Sequence, residues 1–144
     1  MIAIALDDEP AALEILRRHA EKVPFISLTH TFVSTAETLA FLSQNAVDVL
    51  FLDVQMPDML GTDFARLLKN TQTQIVFVTA YPDYAVEGFA LQALDYLLKP
   101  VEFSRFLQAC NRALGQLPKK AGEPSSIFVK DGYDWVRVNL DEIL

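Results

Sequence analysis

Residues 47–61 read VDVLFLDVQMPDMLG. Val49, Leu50, Phe51 and Leu52 form a short unbroken apolar run, the pattern of a strand buried on both faces of a parallel sheet. Asp53 ends the run, and Pro57 to Gly61 then turn the chain away. A carboxylate at the point where a central strand leaves an open α/β sheet sits at the rim where such folds bind their ligands. One loop aspartate after a strand would carry little weight. Here three other strands end in equally pointed chemistry.

Working outward, Ile2 to Leu6 reads as a first buried strand, followed by Asp7-Asp8-Glu9-Pro10 as an acidic loop and helix start. Ala12, Leu13, Leu16 and Ala20 then recur at helical spacing until Val23-Pro24 breaks the pattern. Ile26, Leu28 and His30 alternate with Ser27, Thr29 and Thr31, which predicts a half-exposed edge strand. Ser34-Thr35-Ala36-Glu37 is a capping box opening a helix that runs to about Asn45. Downstream of Asp53, Gly61 or Thr62 opens a third helix with Phe64, Leu67 and Leu68 inward. Ile75 to Val78 make a fourth strand ending at Thr79, and a helix is expected around Asp83 to Leu91. Leu94 to Leu98 make a fifth strand ending at Lys99-Pro100, and a last helix covers roughly Glu102 to Leu114. Five β-then-α units in succession predict a doubly wound α/β fold, a parallel sheet with helices on both faces. Gln116 to Ser126 gathers proline, glycine, serine and two lysines, the composition of a linker. Beyond it, Ile127 to Lys130 and Trp135 to Val138 flank Asp131-Gly132-Tyr133-Asp134 as a hairpin, too small to build a core of its own.

Composition narrows the function classes. The 144 residues are 51% hydrophobic and 22% charged, suited to one globular domain with a short extension, and no apolar run approaches the roughly 18 to 20 residues that cross a bilayer. The amino terminus enters a strand at once, without a basic region or small-residue cleavage site, so a cytoplasmic setting and no membrane partner are expected. A formal charge of −7 opposes nonspecific attraction to nucleic acid. The lone Cys110 lies among Leu107, Ala109 and Leu114, which predicts a buried helix position rather than a reactive thiol. His19 and His30 have no cysteine near them, which disfavours a transition-metal site.

The strand ends converge. The first strand delivers Asp7 and Asp8, the third Asp53, the fourth Thr79 and the fifth Lys99, all at the carboxyl edge of one predicted sheet. Crowded carboxylates repel one another unless a cation sits among them, and an oxygen-only ligand set favours Mg²⁺ over zinc. Metal, ammonium and hydroxyl together suit a phosphoryl group, with Asp53 as the nucleophile that forms an acyl phosphate.

Asp7-Asp8, Asp53 followed by Met56-Pro57 and Gly61, then Thr79-Ala80 and Lys99-Pro100, resemble the response-regulator receiver domain of two-component signalling over roughly residues 1–117. The resemblance implies strand order 2-1-3-4-5, the flavodoxin-like order known for a chemotaxis receiver. It also implies that Asp53 accepts phosphate from a phosphohistidine of a histidine kinase, and that Asp8, Asp53 and the Gln55 carbonyl hold Mg²⁺ with Asp7 acting through water. By the same resemblance Lys99, Thr79 and Ala80 meet the phosphate, Lys99-Pro100 is a cis peptide, and Thr79 and Tyr96 form a switch pair; movement of that pair on phosphorylation is expected to promote a homodimer. Thr79-Ala80-Tyr81, Tyr84-Ala85-Val86, Phe89 and Ala93 to Pro100 resemble receivers joined to LytTR-type DNA-binding domains, and Phe128 to Tyr133 resembles the first strand of such a domain. The implied layout is a receiver over 1–117, a linker over 118–126 and the truncated start of a LytTR-type domain over 127–144, so that DNA contact belongs to the missing remainder.

Other classes fit less well. A phosphatase of the aspartyl-phosphate type wants a second carboxylate two residues after its nucleophile, where Gln55 stands. A flavin carrier wants hydroxyl and glycine donors after the first strand, where two aspartates would repel the flavin phosphate. A degenerate receiver acting as a phosphorylation-independent interaction module remains the alternative.

Overall fold

The computed structural model describes residues 1–68, 71–82 and 92–117. The helix expected around Asp83 to Leu91, the linker and the carboxyl-terminal hairpin lie outside the described residues. The elements in chain order are β1 (Ile2–Leu6), α1 (Pro10–Glu21), β2 (Ser27–Phe32), α2 (Thr35–Gln44), β3 (Val49–Asp53), α3 (Gly61–Leu67), β4 (Gln74–Thr79), β5 (Asp95–Leu98) and α4 (Phe103–Gln116). All five strands are parallel, in the order β2-β1-β3-β4-β5. The chain therefore winds one way from β1 to β2 and the other way from β3 onward, leaving a crevice above the carboxyl ends of β1 and β3 where their loops part.

The alternation of side chains across the pleat builds two cores. Ala3, Ala5, Val49, Phe51, Val76, Val78 and Leu97 face one side, under Leu13 and Leu16 of α1 and Phe106, Ala109 and Ala113 of α4. Small Ala3 and Ala5 leave room for the rings of Phe51 and Phe106, which stack at 5.2 Å. Ile4, Leu6, Leu50, Leu52 and Phe77 face the other side, under Phe64 of α3 and Leu68 just past its end, with Leu39, Phe41 and Leu42 of α2 partly covering them. Cys110 is buried on α4, where its apolar setting pushes the thiol up to about 12.

Local signals act as expected at the helix starts. Ser34 Oγ accepts the Glu37 amide at 3.2 Å, and Pro10 fills the first turn of α1. Two expectations need correction. Leu67 points to solvent, 58% exposed, because the helical phase turns Phe64, Ala65 and Leu68 to the core and leaves Leu67 on the flank. His30 does not share a face with Leu28: the β1–β2 register shifts by one residue between Ala3 and Ile4, which pair with Leu28 and His30 respectively. Thr29 is the extra residue of that bulge, so the alternation slips. Leu28 packs on the α1/α4 side, while His30 lies against Phe32 and Phe41 on the other.

Candidate functional site

β1 ends in Leu6 at the centre of the sheet and delivers Asp7 into the crevice, almost wholly buried. The Asp7 carboxylate accepts the Glu9 amide at 2.9 Å, which folds the acidic loop back over the strand end and lets Pro10 start α1. β3 delivers Asp53, 3% exposed and paired with Val78 of β4. Its carboxylate accepts the Gln55 amide at 3.4 Å. Carboxylate oxygens of Asp7, Asp8 and Asp53 all lie within 4.8 Å of one another, close enough for one ion to meet all three. Burial and the neighbouring Asp7 charge push Asp53 up to about 7, and Lys99 only partly opposes them.

Lys99 follows β5, whose Leu98 pairs with Thr79, and its own amide donates to the Thr79 carbonyl at 2.8 Å. The Lys99–Pro100 peptide bond is cis. Its ammonium lies 2.6 Å from Glu9 Oε1, 3.0 Å from Asp7 Oδ2 and 3.5 Å from Asp53 Oδ2. Burial alone would lower its pKa, but Glu9, Asp7 and Asp53 together hold it above the ordinary lysine range. One cation thus serves three carboxylates, and the cluster keeps an excess of negative charge that a divalent ion would offset.

Thr79 is fully buried at the end of β4, and its hydroxyl accepts the Tyr81 amide at 3.2 Å. The Tyr96 hydroxyl donates to the carbonyl of the same Tyr81. Thr79 and Tyr96, placed on different strands, therefore hold opposite ends of one residue. Ala80 lines a cleft of 340 Å³ together with Glu9, Ala11, Ala12, Lys99 and Pro100. Tyr84 and Phe89 lie outside the described residues.

Sequence reading brought Asp7, Asp8, Asp53, Thr79 and Lys99 to one edge, and the structure places them there. It missed Glu9, read only as part of a helix start, which makes the shortest contact to Lys99 across 90 residues of chain. Gly61, read as a turn residue or the start of a helix, also has a packing role that its sequence position does not show. A Cβ there would collide with the Asp53 carbonyl, and the Gly61 amide donates to Val54 O at 2.8 Å, so α3 rests directly on the backbone that carries Asp53.

Fold and site define a receiver, and the comparisons agree: residues 3–111 match the response regulator receiver domain family, to which the chain belongs. Receivers of this family are the phosphoacceptor domains of two-component signalling rather than enzymes in the usual sense. The sensory transduction protein LytR of Staphylococcus saprophyticus is 37% identical over 121 residues, covering 81% of this chain and 48% of that protein. The transcriptional regulatory protein BtsR of Salmonella typhimurium is 36% identical over 110 residues, 76% of this chain and 46% of that one. The crystal structure of the response regulatory domain of mrkE from Klebsiella pneumoniae superposes with a TM-score of 0.74 at 32% identity, covering 80% of this chain and 96% of that domain. The chain spans about half the length of the curated relatives it matches. Among the described residues no helix is long and apolar enough to cross a membrane.

Proposed function

We propose that Asp53 is the phosphoacceptor, taking its phosphoryl group from a phosphohistidine of a histidine kinase. The observation that carries this reading is the convergence of Asp7, Asp8 and Lys99, three charged groups from two other strand ends, around the buried Asp53 carboxylate. An Asp53 oxygen attacks phosphorus, the P–N bond breaks, and the departing imidazole nitrogen keeps the electron pair and takes a proton. Lys99 is placed to meet the phosphoryl oxygens, and the Thr79 hydroxyl can donate to one of them while still accepting the Tyr81 amide. Asp8, Asp53 and the Gln55 carbonyl, with Asp7 through water, would hold Mg²⁺, a fit supported by three mutually repelling carboxylates with one shared ammonium. Bound there, Mg²⁺ supplies charge neutralisation for the carboxylates and for the transferred phosphoryl group.

The proposed layout is a receiver over residues 1–117, a linker over 118–126 and the start of a LytTR-type DNA-binding domain over 127–144. The likeness to LytR supports it. The whole protein would regulate transcription, contacting DNA through the remainder of that domain. Phosphorylation would shift an existing equilibrium toward a homodimer. Thr79 and Tyr96 meet at Tyr81, so a change at the Thr79 hydroxyl reaches the surface around Tyr96 through one residue. A contact worth about 1.4 kcal/mol more in the phosphorylated state would tighten dimerisation roughly tenfold.

Intact-protein mass spectrometry after treatment with acetyl phosphate and Mg²⁺ tests the acceptor. Wild type gains one phosphoryl group and Asp53→Asn gains none; undiminished labelling of the Asn variant would falsify the assignment. Failure of wild type to label at all would favour the degenerate receiver. Sedimentation with and without beryllofluoride tests the dimer, and equal association constants in both states would remove that part of the reading.

A further inference from the structure

Lys99 has three donors, and three carboxylates already surround them. The nearest is neither Asp53 nor the buried Asp7 but Glu9, at 2.6 Å against 3.5 Å and 3.0 Å. The three anions differ in freedom. The side chains of Asp7 and Asp53 are 2% and 4% exposed and cannot withdraw, whereas that of Glu9 is 63% exposed and can turn into water. An anion arriving on Asp53 must draw the ammonium toward itself, and the contact that can be released is the one to Glu9.

We propose that Glu9 is a positioning residue that competes with the phosphoryl group for Lys99, holding the ammonium when Asp53 is bare and setting how tightly the site takes a phosphoryl-like anion. The inference rests on the reading of Asp53 as phosphoacceptor. Glu9 and Lys99 both line the 340 Å³ cleft, and the ion pair faces solvent on its Glu9 side. An ion pair of that exposure is weak and screened by salt, so the competition is modest in size and specific in signature.

Fluorine NMR titration of beryllofluoride with Mg²⁺ into the full chain reads the competition directly. Glu9→Gln and Glu9→Asp are compared with wild type and with Glu14→Gln, which removes one negative charge from an exposed α1 position where Glu14 pairs with Arg17 and Arg18. Asp retains the charge of Glu9 but is one methylene too short to keep the contact. The expected result is roughly two- to fivefold tighter binding for both Glu9 variants at low salt, the size of an exposed ion pair, with the gap closing at high salt and Glu14→Gln unchanged. Tighter binding in Glu9→Gln but not in Glu9→Asp would overturn the contact and leave only the long-range field. Unchanged or weaker binding in both would overturn the competition. A beryllofluoride signal that persists in Asp53→Asn would instead overturn the phosphoacceptor reading and the inference with it.

Discussion

Two buried aspartates in this receiver stand in opposite electrostatic positions. Asp53, at the carboxyl end of β3, shares one lysine with Asp7 and Glu9 and has Asp8 close by. Asp95, at the start of β5, has its Oδ1 contacted by Arg105 at 3.0 Å, by Arg112 at 3.5 Å and by the Tyr96 amide at 2.8 Å. The first cluster has too few cations for its anions, the second has two guanidinium groups for one carboxylate. Both residues are nearly out of water, at 3% and 6% exposed, so burial does not distinguish them. Charge balance does. A carboxylate paired with arginines through its Oδ1 ties β5 to α4, whereas one held among like charges is destabilised until a ligand relieves it.

The largest expected difference is in phosphoryl uptake. Asp53→Asn should lower labelling by acetyl phosphate more than ~100-fold, as loss of a nucleophile does, while Asp95→Ala stays within about twofold. Comparable losses in both would erase the distinction.

Stability should move the other way. Asp95→Ala strips the acceptor from Arg105 and from the Tyr96 amide and is expected to cost about 2 kcal/mol, seen as a lower urea midpoint with unchanged slope. A midpoint equal to wild type would mean that the arginine cluster is ornamental.

Metal should stabilise only the unbalanced cluster. Mg²⁺ at about ten times its Kd is expected to add about 1.4 kcal/mol to wild type and to Asp95→Ala, and little to Asp8→Ala, as read by thermal melts. A full response in Asp8→Ala would show that the ion binds elsewhere.

The smallest effect is the pH slope. The Asp53 pKa is raised from an ordinary 3.8 to about 7 by burial and by Asp7. Folded chain therefore binds more protons than unfolded chain between about pH 4 and about pH 7, and the stability from that proton is complete below this window and lost as pH rises through it. In metal-free buffer Asp53→Asn should melt above wild type at the alkaline end of the window, with the gap closing at the acid end. A gap independent of pH would reassign its cause to packing.

What could be read from the sequence follows the range of each signal. β1 spans Ile2–Leu6 as its apolar run implies, and Asp53 closes β3, because a fully buried strand writes its burial into consecutive residues. Strand ends also expose Asp7, Thr79 and Lys99 to inference, since topology alone brings them to one edge. The two misplaced side chains fail for local reasons: period-two counting does not see the slip at Thr29, and the apolar Phe64, Leu67 and Leu68 do not show which of the two leucines the helical phase turns outward. Glu9 and Asp95 were illegible because their partners lie 90 and 10 residues away and are chosen by the packing of loops, not by spacing.

The slip in β2 has a consequence for the length of the chain. With Thr29 deleted, Leu28 and His30 would become neighbours and still pair with Ala3 and Ile4, and Thr31 and Phe32 would keep their present partners Ala5 and Leu6. Every remaining side chain stays on its own face. Deleting Thr31 keeps the bulge but carries Phe32 opposite Ala5, into the wrong core. One edge strand thus holds, two residues apart, a position that can vanish from the polypeptide with little disturbance and one that cannot. Homologues that are a residue shorter in this strand are expected to have lost the bulge and kept the ladder.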